Sequence, residues 1–364
     1  MRLMSLLAIF VAGFLGAYAA KNQPVSSISE KHQDREGTSP EHYKNLKKDV
    51  QDLKEDVSNS LKINNPKNGW VVFDYLFWAA QGNQWMYAER QTNTTSTIFD
   101  TKVLRGSCEY STGGRVELGA SNFYDWTFAG VFTYYQNQTH KKSFGSNVYP
   151  IQLVDIPDVI SSVGTHWQIQ YVIGDIQFGC NFDSKTFSIK PFFGMQGAWI
   201  KNHEKYRTEG MGYNHNPGVE FSMLRQNHRY LGAGPLLGLK GVCKCGDTGF
   251  NFFGLFSTSL LYGTVKSHTL EEASLNDSIF DGEKILQHFK DLKTHLQLIA
   301  GCEWKYFFDQ KKAACALHIA YEANYWWHQG DKLDFSETGD GRADVPNNED
   351  IIFHGFNFGI EFDY

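Results

Sequence analysis

Six cysteines and thirteen histidines are the side chains of this 364-residue chain best suited to metal binding, nucleophilic attack or cross-linking. Zinc requires paired ligands at close spacing. Cys243 and Cys245 form a C-x-C pair with no second pair at finger spacing, and no H-E-x-x-H occurs. The run Gly113-Gly114-Arg115-Val116-Glu117-Leu118-Gly119 lacks G-K-[ST] and leads into strand-like sequence rather than a helix, so it cannot serve as a phosphate cradle. No G-x-S-x-G elbow exists. The acidic stretch with Asp331, Asp334, Asp340, Asp344, Glu349 and Asp350 lacks EF-hand spacing and reads as a solvated loop. The expectation is no catalytic residue, no metal site, no cofactor and no enzyme. Net charge of -6 also argues against nucleic acid as a partner.

The N-terminus places the cysteines in an oxidising setting. Arg2 is followed by an apolar run from Leu3 to Gly16 and then Ala17-Tyr18-Ala19, the make-up of a cleaved secretory signal. We assign 1–19 to a signal peptide and 20–42 to a flexible leader. Over 43–63, Tyr43, Leu46, Val50, Leu53 and Val57 recur in steps of three and four, which predicts a short amphipathic or coiled-coil α-helix. Such a helix could join copies into a homotrimer. Asn64 to Gly69 is breaker chemistry that ends it.

From Trp70 the pattern changes to period two. The last nine residues show it best. Phe356, Phe358, Ile360, Phe362 and Tyr364 share one face, and Asn357, Gly359, Glu361 and Asp363 share the other. An apolar aromatic face backed by a small or polar one suits a wall between lipid and water. Ten strand-like segments can be counted, at about 70–89, 106–120, 124–139, 166–182, 186–201, 227–240, 249–265, 293–308, 312–328 and 350–364. Short and long connections alternate between them. This predicts an all-β fold over 69–364, a transmembrane antiparallel β-barrel of ten strands, with 12–14 possible if the long loops hide hairpins. Ile279 to Leu292, in one long loop, reads as a helix. An even count puts both termini, and the N-terminal helix, on the periplasmic side of a bacterial outer membrane. The C-terminal aromatic face is also the kind of signal that barrel-assembly machinery reads.

Parity and mixed sign then choose the charges that face inward. Arg115, Glu117, Lys190, Glu303, Lys305, Glu322 and Glu361 are the predicted pore lining. Among the cysteines, a turn centred between Phe308 and Asp309 would set Cys302 opposite Cys315, a cross-strand disulfide. Cys243 and Cys245, in a predicted periplasmic turn, are candidates for links to neighbouring proteins.

Several landmarks carry a family resemblance. They are Trp70 to Trp78, then Gly114-Arg115-Val116-Glu117-Leu118-Gly119 with Asp125-Trp126, and then Trp167, Tyr171, Asp175 and Gly179. Lys190 to Ala198, Gly232-Ala233-Gly234-Pro235 and Tyr325-Trp326-Trp327 follow in order. Together they resemble a family of pore-forming major outer-membrane proteins known from Legionella and Chlamydia-like bacteria, across about 70–364. Gln196 stands where that family usually has arginine. The resemblance implies an abundant barrel that passes small hydrophilic solutes and ions, with copies linked by disulfides in the envelope. Outer-membrane lipid and lipopolysaccharide are the expected surroundings. The competing expectation is a structural, disulfide-linked envelope protein or adhesin without significant channel activity.

Overall fold

The computed structural model describes residues 69–364 except 83–85, 95–97, 106–108, 122–125, 146–147, 151–158, 212–218, 247, 276–277, 309–312, 330–331, 336–342 and 348–349. The expected signal peptide, leader and amphipathic helix lie outside the described residues. In chain order the strands begin β1 (Trp70–Gly82), β2 (Met86–Thr94), β3 (Ile98–Arg105), β4 (Ser111–Ser121), β5 (Trp126–Phe144) and β6 (Val148–Pro150). Next come β7 (Val159–Cys180), β8 (Phe182–Asp183), β9 (Phe187–Met211), β10 (Val219–Lys244) and β11 (Phe250–Leu275). The chain closes with β12 (Ser278–Phe308), β13 (Ala313–Trp326), β14 (Lys332–Phe335), β15 (Ala343–Asn347) and β16 (Ile351–Asp363).

Ten of these form a closed antiparallel ring in the order β1, β4, β5, β7, β9, β10, β11, β12, β13, β16. Closure comes from the two chain ends. β1 pairs with β16 from Trp70–Asp363 to Gly82–Ile351, and Gly69 and Tyr364 exchange backbone hydrogen bonds of 3.0 Å beyond the last rung. A closed ring leaves no unpaired edge, as a wall in lipid requires. Among the described residues no helix is long and apolar enough to cross a membrane.

Two faces run around the ring as the alternation requires. Phe73, Tyr75 and Phe77 on β1, Phe128, Phe132 and Tyr134 on β5, and Leu317, Ile319 and Tyr321 on β13 are exposed on the outside. Phe356, Phe358, Phe362 and Tyr364 are exposed likewise, and Ile360 shares their face. The intervening residues point inward and are mostly buried. Small pieces are not part of the ring: β14 and β15 make a two-stranded sheet, and β2, β3 and β6 a three-stranded one whose Ala88 and Val148 are buried against the inward Val163, Tyr206 and Leu224.

Two expectations are corrected. Ile279 to Leu292 is not a helix but part of β12, paired with β11 as far as Ser278–Leu275. A neighbouring strand offers each of its backbone groups a partner, and that decides against local helical spacing. The register of the β12–β13 hairpin also differs from the predicted one. Its ladder continues to Phe308–Ala313, so Cys302 pairs with Ile319 and Cys315 with Tyr306. The cysteines stay on one face but sit four rungs apart, about 13 Å along the strand. That is beyond the reach of a disulfide, and Cys243, Cys245, Cys302 and Cys315 are free thiols.

One strand carries a deliberate irregularity. Pro235 sits mid-strand in β10, where it has no N–H to give the ladder. Rungs with β11 are made at Ala233–Tyr262 and again at Leu236–Ser259, with none between them. At Gly234 a Cβ would overlap the Leu260 carbonyl oxygen, so the bare backbone lets β11 close in on the gap.

Candidate functional site

The inside of the ring divides into two zones. Toward the short turns, charges of both signs hold one another. Trp70 Nε1 donates to Glu117 at 2.8 Å, and the Lys190 ammonium lies 4.8 Å above the Trp70 ring. Asn251 donates to Glu303 at 2.9 Å. Lys305 is paired with Glu361 at 3.3 Å and with Asp363. Glu117, Lys190, Glu303 and Glu361 border a cavity of about 80 Å³, which Lys240, Asp74 and His318 also line. That is room for a few water molecules.

Above the cavity the lumen is closed by a charged core and then by rings. The Arg115 guanidinium makes a bidentate pair with Glu322 at 2.9 and 2.6 Å. Its Nε donates to Thr133 at 3.1 Å, and Asp74 lies 3.6 Å away. Glu322 also accepts from Gln297 at 2.6 Å, Asn324 at 2.8 Å and Asn357. Removing both charges from water is expensive, and full satisfaction of their hydrogen bonds is what makes such a pair tolerable. Gln196 continues the network, donating to Asp175 at 2.9 Å and accepting from Ser259 at 2.5 Å. His295 reaches Gln196 at 2.9 Å and stacks on Trp326 at 4.4 Å.

The rings form the lid of this layer. Trp78 donates to Asn357 at 2.7 Å and sets its ring face on Arg115, 5.7 Å from centroid to guanidinium carbon. Tyr135 donates to the Trp78 carbonyl at 2.8 Å. Tyr171 packs on Phe353 at 4.5 Å and edge-on to Trp326 at 6.0 Å. Trp78, Tyr135, Trp326, Phe353 and Glu322 all have 0% exposure, so the middle of the lumen holds no open water column.

All seven charges predicted to line the inside are on the inward face. Arg115 meets Glu322, Lys305 meets Glu361, and Glu117, Glu303 and Lys190 take other partners around the same cavity. Sequence reasoning missed Asp74, Lys240, His295 and the whole aromatic lid. Asp74, between Phe73 and Tyr75, was open to the parity argument. Trp78 was not, because both faces of β1 are apolar near it. Among the described residues no group of His, Cys, Asp and Glu is placed to hold a metal ion.

The model of the family described as Legionella pneumophila major outer membrane protein precursor matches residues 63–364. No curated protein matches the chain. Among solved structures, the outer membrane protease OmpT from Escherichia coli is 9% identical, with 82% of this chain and 98% of that one covered and a TM-score of 0.37. The toluene transporter TodX of Pseudomonas putida is 9% identical, with 82% and 89% covered and a TM-score of 0.30. Likeness at that level carries no argument about what this barrel does. The family match spans the whole barrel, and it agrees with a closed ring that is aromatic outside and polar inside: this chain is an outer-membrane β-barrel belonging to the Legionella major outer membrane protein family.

Proposed function

We propose that the protein is an abundant envelope barrel with a narrow, side-chain-gated channel for ions and the smallest hydrophilic solutes. Transport is passive and needs no catalytic group. One observation carries this reading. The inward face is charged in both signs around a water-sized cavity, and beyond it the lumen is filled first by the layer of Arg115, Glu322 and Trp78 and then by further buried side chains, among them Ile200, Tyr230 and Tyr206. A lumen lined this way admits water and ions wherever side chains move aside. Its ten strands leave it too narrow for a wide diffusion pore once those side chains are in place.

A second reading, a purely structural envelope barrel, is favoured by the complete burial of Trp78, Phe353 and Glu322. Planar-bilayer recordings on the refolded barrel separate the two. We expect brief, small steps from the wild type and larger, longer ones from Trp78→Ala/Tyr171→Ala. Silence from both correctly folded proteins would leave the structural reading. Large, long-lived openings in the wild type would establish a general diffusion pore instead.

A further inference from the structure

The outer wall changes character abruptly above its aromatic girdle. The top of the girdle runs through Tyr134, Val172, Trp199 and Leu231, which are successive partners across β5, β7, β9 and β10, with Tyr262 on β11 beside them. One outward position higher, about 7 Å along the strands, Lys201 pairs with Arg229 and Arg229 with Lys266. Three cations therefore stand side by side on three adjacent strands, about 5 Å apart. Their rung is completed by Gln136, Gln170 and His288, so it contains no acid.

The two rungs above it are also free of acids. The first carries His203, Asn227 and His268, and the second carries His166, Lys205 and Arg225. The first outward acids along these strands, Glu209 and Glu272, lie higher still and are already held by Lys142 with Arg207 and by Arg225. The local field is felt by His166, outside the apolar belt. Burial first, then His203, His140 and Lys205, hold its protonation below the usual imidazole range.

Like charges directly opposite on neighbouring strands destabilise a sheet. A chain with net charge -6 has acids to spare, yet none is placed here. Lys201, Arg229 and Lys266 are exposed, and Arg229 lies 5.6 Å over the Trp199 ring at the girdle's edge. In an outer-membrane barrel the long-loop end faces the outer leaflet. Anionic groups at that height belong to lipid headgroups, whose acyl chains would lie against the apolar face directly below.

We propose that the Lys201–Arg229–Lys266 rung is a binding surface for the phosphate groups of an outer-leaflet glycolipid of the lipopolysaccharide type. The lipid's phosphates replace the missing acids and relieve the repulsion along the rung. The inference rests on the outer-membrane assignment and not on the channel reading, so an electrically silent barrel would leave it standing.

The test uses the full barrel in detergent and reads its heat-unfolding midpoint as lipopolysaccharide is titrated. Lys201→Gln/Arg229→Gln/Lys266→Gln is compared with the wild type and with Lys185→Gln/Lys244→Gln near the opposite end. We expect lipopolysaccharide to raise the wild-type midpoint, and the triple variant to need at least tenfold more lipid for the same rise. The Lys185/Lys244 variant should behave as the wild type. Without lipid the triple variant should be the more stable protein, because repulsion is gone. Arg229→Gln alone, the central cation, provides the same comparison at lower risk to folding. The proposal fails if the triple variant titrates within twofold of the wild type, or is the less stable without lipid. It fails equally if the Lys185/Lys244 variant loses as much, or if inorganic phosphate at matched concentration stabilises the wild type as well as the lipid does.

Discussion

Arg115 and Glu322 lie 207 residues apart in the chain, yet together they hold the centre of the molecule. Each is buried; Arg115 donates to Thr133 and Glu322, and Glu322 accepts from Gln297, Asn324 and Asn357 as well, so neither moves unless its neighbours do. Glu322→Ala would leave the guanidinium buried with only the more distant Asp74 for charge. Breaking a buried pair from one side costs about 3–5 kcal/mol. The expected outcome is a clearly lowered urea midpoint for that variant in detergent micelles. Replacing both partners by apolar groups, as in Arg115→Met/Glu322→Leu, should recover most of the loss. A double variant no more stable than the single one would show that the pair is not the source of the effect. Gln196 extends the same reasoning: a neutral amide bridges Asp175, Ser259 and His295 without adding a charge beside the Arg115–Glu322 pair.

At the scale of the element, the informative strand is β10, with a proline and a glycine side by side in its middle. Gly234→Ala puts a methyl group against the Leu260 carbonyl, so β10 and β11 must part where their ladder is already interrupted. We expect a cost of about 1–3 kcal/mol, typical of forced overpacking, read as a lower heat-modification midpoint on gels. Gly241→Ala on the same strand meets only open space and should change little. Equal effects from the two would contradict the close approach. The ten strands and their faces were legible in the sequence because period two survives in each segment: Leu317, Ile319 and Tyr321 against His318 and Glu322 need no knowledge of neighbours. Their lengths were not, since β9 and β11 run ten residues past the predicted ends, to Met211 and Leu275, and β10 starts early, at Val219. Register was not. Moving the β12–β13 turn centre by two residues keeps every face and changes every partner, which is how Cys302 and Cys315 were predicted on one face and wrongly paired. The Ile279–Leu292 segment failed for a related reason, since only its ladder with β11 distinguishes strand from helix.

For the whole molecule, the thiols of Cys243, Cys302 and Cys315 lie on strands near the short-turn end. Cys243 and Cys302 are both partners of Phe252, so one strand separates them by about 10 Å. No two of these three can bridge within one barrel without moving backbone. Oxidation of the protein at membrane density should therefore join Cys243, Cys302 and Cys315 to one another only between chains, and peptide mass spectrometry under non-reducing conditions would check it. A Cys302–Cys315 peptide recovered from the monomer band would refute the register. The polar lining was legible at this scale and the seal was not. Parity assigns charges to the inside of any barrel, but whether Trp78, Tyr171 and Phe353 meet across it depends on ring size and on which strands stand opposite.

The rim of the ring is uneven. Beyond His295–Trp326, the last rung between β12 and β13, the β11–β12 ladder runs on to Leu275–Ser278, and β9 and β10 rise with it, whereas β1 stops at Gly82 and β16 starts at Ile351. A cylinder with one tall side has a heading in the membrane plane, as a chair has a front and a back. Neighbours approaching the low side meet a short wall, and those approaching the high side meet a parapet. At high density such particles would pack by compass direction, so a crowded sheet of them would carry in-plane order that a level-rimmed barrel lacks.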